Sequence, residues 1–169
     1  ELGREIIRIA ASRGDEELHR TLLDATRGAS TPQERRNRLF ALAEFDQPEL
    51  LRASLAASLD SSLAPVPDRA ALLVRLLARP TTAKQTWQQL KTSWLQLEKE
   101  MPPIVLARLA AATAEALPFS AGPEIENFFE RHPLAAGSRV LRQIAEEMAI
   151  AEEFELRAGA AFETVLAEP

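Results

Sequence analysis

Apolar positions recur every three to four residues along almost the whole chain, the period of an amphipathic helix rather than of a strand. Leu2, Ile6 and Ile9 share one face of a first helix that ends near Gly14. Asp15 is placed to cap a second, which carries Leu18, Leu22 and Leu23 and stops at Gly28. Thr31-Pro32-Gln33-Glu34 has the form of a capping box with proline at the first helical position. Behind it Leu39, Phe40, Leu42, Ala43 and Phe45 make an apolar side, while Arg35, Arg36 and Arg38 are expected in water. Asp46 marks a fourth start, with Pro48 and Glu49 in the first turn and Leu51, Leu55, Leu59 and Leu63 following at a spacing of four.

After a break at Ala64-Pro65-Val66-Pro67, Asp68 is the expected cap of a fifth helix carrying Leu72, Leu73, Leu76 and Leu77 and ending at Pro80. Thr81 or Thr82 is the expected start of a longer sixth, whose Trp87, Leu90, Trp94, Leu97 and Met101 form one continuous stripe. Pro102-Pro103 closes it and opens a seventh, Ile104 to Leu117. Gly122-Pro123 introduces a short eighth with Phe128 and Phe129, stopped at His132-Pro133. The last segment, Ser138 to about Leu166, keeps a helical face through Leu141, Ile144, Met148, Ala151, Ala158, Phe162 and Val165, with a kink expected near Gly159.

The pattern predicts an all-α chain of about nine helices with short connections and no long polar linker, hence one domain over residues 1–169. A closed bundle and a stack of antiparallel pairs both fit. Helix starts roughly 35 residues apart per pair favour the stack, an irregular right-handed HEAT- or armadillo-like solenoid, although no tetratricopeptide or ankyrin consensus repeats.

Composition agrees with the period. The 169 residues include 30 alanines and 25 leucines, strong helix formers, with no tyrosine and few β-branched residues. Such a length buries a sizeable core without staples. The net charge of -5 excludes a basic nucleic-acid footprint, and no apolar run approaches the roughly 20 residues of a membrane span. Residues 1–80 hold 12 basic and 12 acidic groups, and residues 81–169 hold 8 and 13, so the negative excess lies in the second half. The absence of cysteine removes disulfides, thiol catalysis and thiolate metal sites, and favours a cytoplasmic setting without fixing the compartment. The chain opens at Glu1 without methionine or a visible leader, as a fragment of a longer protein or a processed one would. A fragment's first helix would leave Leu2, Ile6 or Ile9 exposed.

Chemistry-bearing motifs are sparse. His19 and His132 sit in no metal-ligand spacing. His19, beside Glu16 and Glu17, is expected on a solvated face, and His132 at a helix C-terminus, where a cation favours the dipole. Ser54, Ser58, Ser61 and Ser62 lie outside any nucleophile motif and have no base nearby in sequence. Trp87 and Trp94 are seven residues apart on an apolar stripe, as core residues would be, rather than a stacking platform. Glu146, Glu147, Glu152, Glu153 and Glu155 form a solvent-facing charged side before they form a carboxylate pair, with Arg142 and Arg157 as partners. No catalytic or metal-binding residue is assigned, and the substrate-binding residues are unknown.

The run Thr86-Trp87-Gln88-Gln89-Leu90-Lys91-Thr92-Ser93-Trp94, then Glu124-Ile125-Glu126-Asn127-Phe128-Phe129, then Ser138-Arg139-Val140 with Gln143 and Glu146, resembles the C-terminal helical domain of aminopeptidase N-like zinc aminopeptidases. Glu34-Arg35-Arg36-Asn37-Arg38-Leu39, Ala41-Leu42-Ala43 and Asp46-Gln47-Pro48-Glu49-Leu50-Leu51 are similar to the same domain, so the likeness spans roughly residues 30 to 166. Ser93, Ala151 and Phe154 depart from the Asn, Asn and Trp usual there. The resemblance implies a non-catalytic solenoid that caps a catalytic domain on the same polypeptide and limits which peptides enter. Zinc and its ligands would belong to that other domain, with no cofactor in this chain. Arg139, Arg142 and Arg157 are possible donors to a peptide carboxylate. The competing expectations are a free-standing HEAT-like interaction scaffold and, less favoured, a small helical enzyme using the carboxylates near the C-terminus.

Overall fold

The computed structural model describes residues 2–134 and, beyond them, residues 146, 150, 153, 154, 157 and 158. Every regular element among the described residues is helical. The order is α1 (Leu2–Ser12), α2 (Glu16–Arg27), α3 (Pro32–Ala41) with a 3-10 turn (Leu42–Glu44), α4 (Pro48–Leu59), α5 (Val66–Leu77), α6 (Pro80–Glu100), α7 (Pro103–Ala116), a second 3-10 turn (Phe119–Ala121) and α8 (Gly122–Arg131). The six separate residues further on are helical, and the kink expected near Gly159 lies outside the described residues.

Proline writes most of the helix starts. Each helix from α3 to α8 has proline at its first or second position, where the missing N–H is no loss and the fixed φ suits the first turn. This corrects three expected starts. Asp46, Asp68 and Thr81 or Thr82 are not the caps of their helices, which begin after Gln47, Pro65 and Arg79 instead. Their side chains serve other contacts. Asp46 Oδ1 accepts from Arg79 Nη2 at 2.7 Å and from Thr81 Oγ1 at 3.0 Å, tying the start of α4 to the start of α6. Asp68 is buried in the first turn of α5 and accepts from Arg36 Nε of α3 at 2.9 Å, so Arg36 is not simply solvated. The two caps expected at Asp15 and Thr31 are made as read, to Leu18 N at 3.0 Å and Glu34 N at 3.1 Å.

Helices pack on their next or next-but-one neighbours: α1 on α3, α3 on α5 and α5 on α7 form one series, and α2 on α4 and α4 on α6 another. The two series meet through α2 on α3, α4 on α5, and α6 on both α5 and α7. α5 is the hub. Its Leu72, Leu73, Leu76 and Leu77 are buried, because an apolar pair every turn gives a stripe wide enough to serve neighbours on several sides. On α1, Ile6 and Ile9, two of the residues whose exposure was expected, stand out from the surface at 57% and 56% exposure. No helix among the described residues is long and apolar enough to cross a membrane.

Candidate functional site

The stripe on α6 ends in an aromatic clasp. Trp87 and Trp94, two turns apart, are both buried and meet Phe128 and Phe129 of α8, with ring centroids between 5.0 and 6.0 Å and mostly edge-to-face. Burial of an indole leaves its N–H to be satisfied, and both find carboxylates. Trp87 Nε1 donates to Glu124 Oε1 at 3.2 Å, and Trp94 Nε1 to Glu98 Oε1 at 2.8 Å. Lys91, one turn after Trp87, pairs with the same Glu124 and lies 5.4 Å over the Trp87 ring. The lysine's hydrogen bond, foremost, holds the Glu124 carboxyl below its usual range. The Trp-x-x-x-Lys-x-x-Trp stretch and the Glu-x-x-x-Phe-Phe stretch are thus two halves of one joint. Its job is packing, so the tryptophans offer no stacking platform.

His132 closes α8, its N–H bonded to Phe128 O at 3.1 Å, in agreement with a C-terminal position. Its ring lies 4.6 Å from that of Phe128, and Nδ1 is 3.8 Å from Glu98.

His19 is not on a solvated face. It is 3% exposed, edge-on to Phe45 at 5.0 Å, with Nε2 at 2.9 Å from Ser54 Oγ. The glutamates beside it in sequence are exposed, whereas His19, Leu22 and Thr26, at spacings of three and four, form the buried side of α2. That helical stripe was the signal in the sequence. Burial lowers the pKa of His19, with Glu16 opposing weakly. The pair has the composition of a base and a nucleophile, but Ser54 Oγ donates to Leu42 O at 2.8 Å. Its proton is therefore committed to a carbonyl, the imidazole N–H is the donor to it, and no substrate reaches either group. Ser58 is likewise buried and bonded to Leu55 O, while Ser61 and Ser62 are exposed, Ser62 bonding Asp60.

The remaining polar constellation was not found in the sequence. A cavity of about 320 Å³ opens between α1, α3 and α5, lined by Glu5, Arg8, Asn37, Phe40, Ala41, Glu44 and Arg75. Arg8 Nε bonds Glu5 at 3.0 Å and reaches Glu44 only at 3.9 Å. The Arg75 guanidinium lies 4.4 Å over the Phe40 ring. Three helices and the 3-10 turn contribute, so no local spacing announces it.

Of the acidic set near the C-terminus, Glu146 and Glu153 are exposed and helical, and Glu153 pairs with Arg157 one turn on, which matches a charged solvent face. Glu147, Glu152, Glu155, Arg139 and Arg142 lie outside the described residues. Among the described residues no three of histidine, cysteine, aspartate or glutamate are gathered so as to hold a metal ion.

The family model for the ERAP1-like C-terminal domain matches residues 1–150. No curated protein matches the chain.

Proposed function

The chain belongs to the ERAP1-like C-terminal domain family, and from that premise we propose that it caps the active-site chamber of a zinc-dependent aminopeptidase and gates or contacts the peptides that enter. The observation that carries the proposal is the family match over residues 1–150, which makes the chain a domain of an aminopeptidase. Its partner is then the catalytic domain of the same polypeptide, which supplies the zinc and the chemistry. This chain supplies shape.

The packing supports that division of labour. Helices that touch only near neighbours in sequence build an extended surface by repetition, and packing on next and next-but-one neighbours supports the reading of a HEAT-like right-handed solenoid of antiparallel pairs. Small rotations between successive pairs add up along such a stack, so its far end moves relative to its base without breaking any single contact. A cap built that way widens or narrows the entrance to a chamber.

Three measurements test the proposal. The open reading frame upstream of Glu1 should encode H-E-x-x-H followed after about 18 residues by a second glutamate. The purified chain, assayed with zinc and amino-acid arylamides, should release no N-terminal residue. The complete enzyme should depend on peptide length, and its catalytic part without this segment should lose that dependence while still cleaving an arylamide. Release of amino acids by the chain alone, or unchanged length dependence without it, would overturn the proposal.

A further inference from the structure

The cavity between α1, α3 and α5 is bordered by Glu44 and by the exposed Arg75, neither of which has a hydrogen-bonded ion-pair partner among the described residues. Glu44 is only 18% exposed at its side chain, yet its one ion-pair partner among the described residues is Arg8 at 3.9 Å, beyond hydrogen-bond reach. Arg8 is itself committed to Glu5 at 3.0 Å. A largely buried carboxylate normally collects donors, so Glu44 has room for a cationic one.

Arg75 is the complement. It lines the same cavity, its guanidinium rests on Phe40, and no carboxylate lies within 4 Å of it among the described residues. Stacking fixes the plane of the guanidinium and leaves its N–H edge free for a planar anion. Asn37 lines the same cavity; its Oδ1 accepts from Gln33 Nε2 at 2.8 Å, and its amide N–H groups are donors. Arg75 and Glu44 do not pair with each other. A negative and a positive side chain therefore border one space, with the Arg8–Glu5 pair beside them.

We propose that this cavity binds a free α-amino acid as its zwitterion, the carboxylate on Arg75 and Asn37 and the ammonium on Glu44. Phe40 and Ala41 supply an apolar wall for the side chain. The volume, about 320 Å³, lies at the small end of the roughly 300–1,000 Å³ found for small-molecule sites, which suits one residue better than a long peptide. Neither a simple anion nor a simple cation matches both walls. Free amino acids are also the product class of an aminopeptidase; that link rests on the proposed function, whereas the binding claim rests on the cavity.

The test is calorimetric titration of the purified chain with L-leucine, N-acetyl-L-leucine and L-leucinamide. Leucine should bind saturably, and each blocked analogue should bind at least about tenfold more weakly, because each leaves one charged wall unmatched. Glu44→Gln should abolish the preference for leucine over N-acetyl-leucine, and Arg75→Gln the preference over leucinamide. Thermal melts of the variants, expected to match the parent, separate a lost site from a lost fold. No saturable binding of leucine up to about 10 mM, or equal affinity for all three ligands, would overturn the proposal. Because no activity is measured, failure here leaves the capping role to its own tests.

Discussion

Trp87 and Glu124 are joined across α6 and α8 by an indole-to-carboxylate hydrogen bond of 3.2 Å, with Lys91 closing on the same carboxylate. The bond explains why a tryptophan on one helix and a glutamate 37 residues later belong to one feature. A buried indole N–H needs an acceptor, the lysine beside it needs a counter-charge, and one carboxylate serves both.

Replacing Glu124 with glutamine should therefore lower stability. The carboxyl is held below its usual value near 4.5, first by the Lys91 hydrogen bond, so its contribution is present above that value and disappears as pH falls through the lowered one. Glu124 is about half exposed, which limits the loss to about 0.5–1 kcal/mol. Urea titrations at pH 7 and pH 3 should show a difference between parent and variant that is larger at the higher pH.

The four rings give a larger effect. Trp94→Ala removes a side chain that is 1% exposed and touches Phe128 and Phe129, and should cost about 3–5 kcal/mol. Trp94→Phe keeps most of the volume and loses the bond to Glu98, so a smaller drop in the denaturation midpoint is expected. Equal losses for the two variants would mean that the hydrogen bond, and not the packing, dominates.

How far the sequence went depends on whether a signal was local. The stripe from Trp87 to Met101 was readable because every member lies on one helix, and Thr31 and Asp15 were readable because a cap is made within three residues. Asp46 and Asp68 were misassigned for the same reason: both look like local caps, but each is used by a residue more than 30 positions away, Arg79 and Arg36. The cavity of Glu44 and Arg75 has no sequence signature, since four separate elements supply its walls.

His19 shows the cost of ranking charge above periodicity. Two adjacent glutamates suggested solvent, whereas the stripe through Leu22 and Thr26 runs into the core. The neutral imidazole is the buried form, so its pKa lies below the usual 6.5. The unfolded chain thus takes up a proton that the folded chain resists. Stability should be full above pH 6.5 and fall as pH drops through the window below it. His19→Gln, which keeps a donor without the titration, should flatten that dependence between pH 7 and pH 5. Ser54→Ala should cost about 1–3 kcal/mol at pH 7, because the imidazole and the Leu42 carbonyl both lose a buried partner.

Arg69 offers the sharpest test of how a buried charge is kept. Its side chain is 3% exposed, and Nη1 donates both to Leu59 O at 3.2 Å and to Glu100 at 3.0 Å, so it links the end of α4, the start of α5 and the end of α6. Glu100 is only partly buried, and its carboxyl is held down first by Gln96 and then by Arg69. Losing the arginine therefore strands a carbonyl and a screened carboxylate, not a sealed charge. Arg69→Ala should cost about 3 kcal/mol, the lower end for breaking a buried pair, and should also leave a void where the stem packed. Arg69→Met refills that void and carries no charge to desolvate, so it should recover most of the loss. Chemical denaturation of both variants decides between packing and pairing. If Arg69→Met is as unstable as Arg69→Ala, the three-helix hydrogen bond, and not the volume, holds this junction.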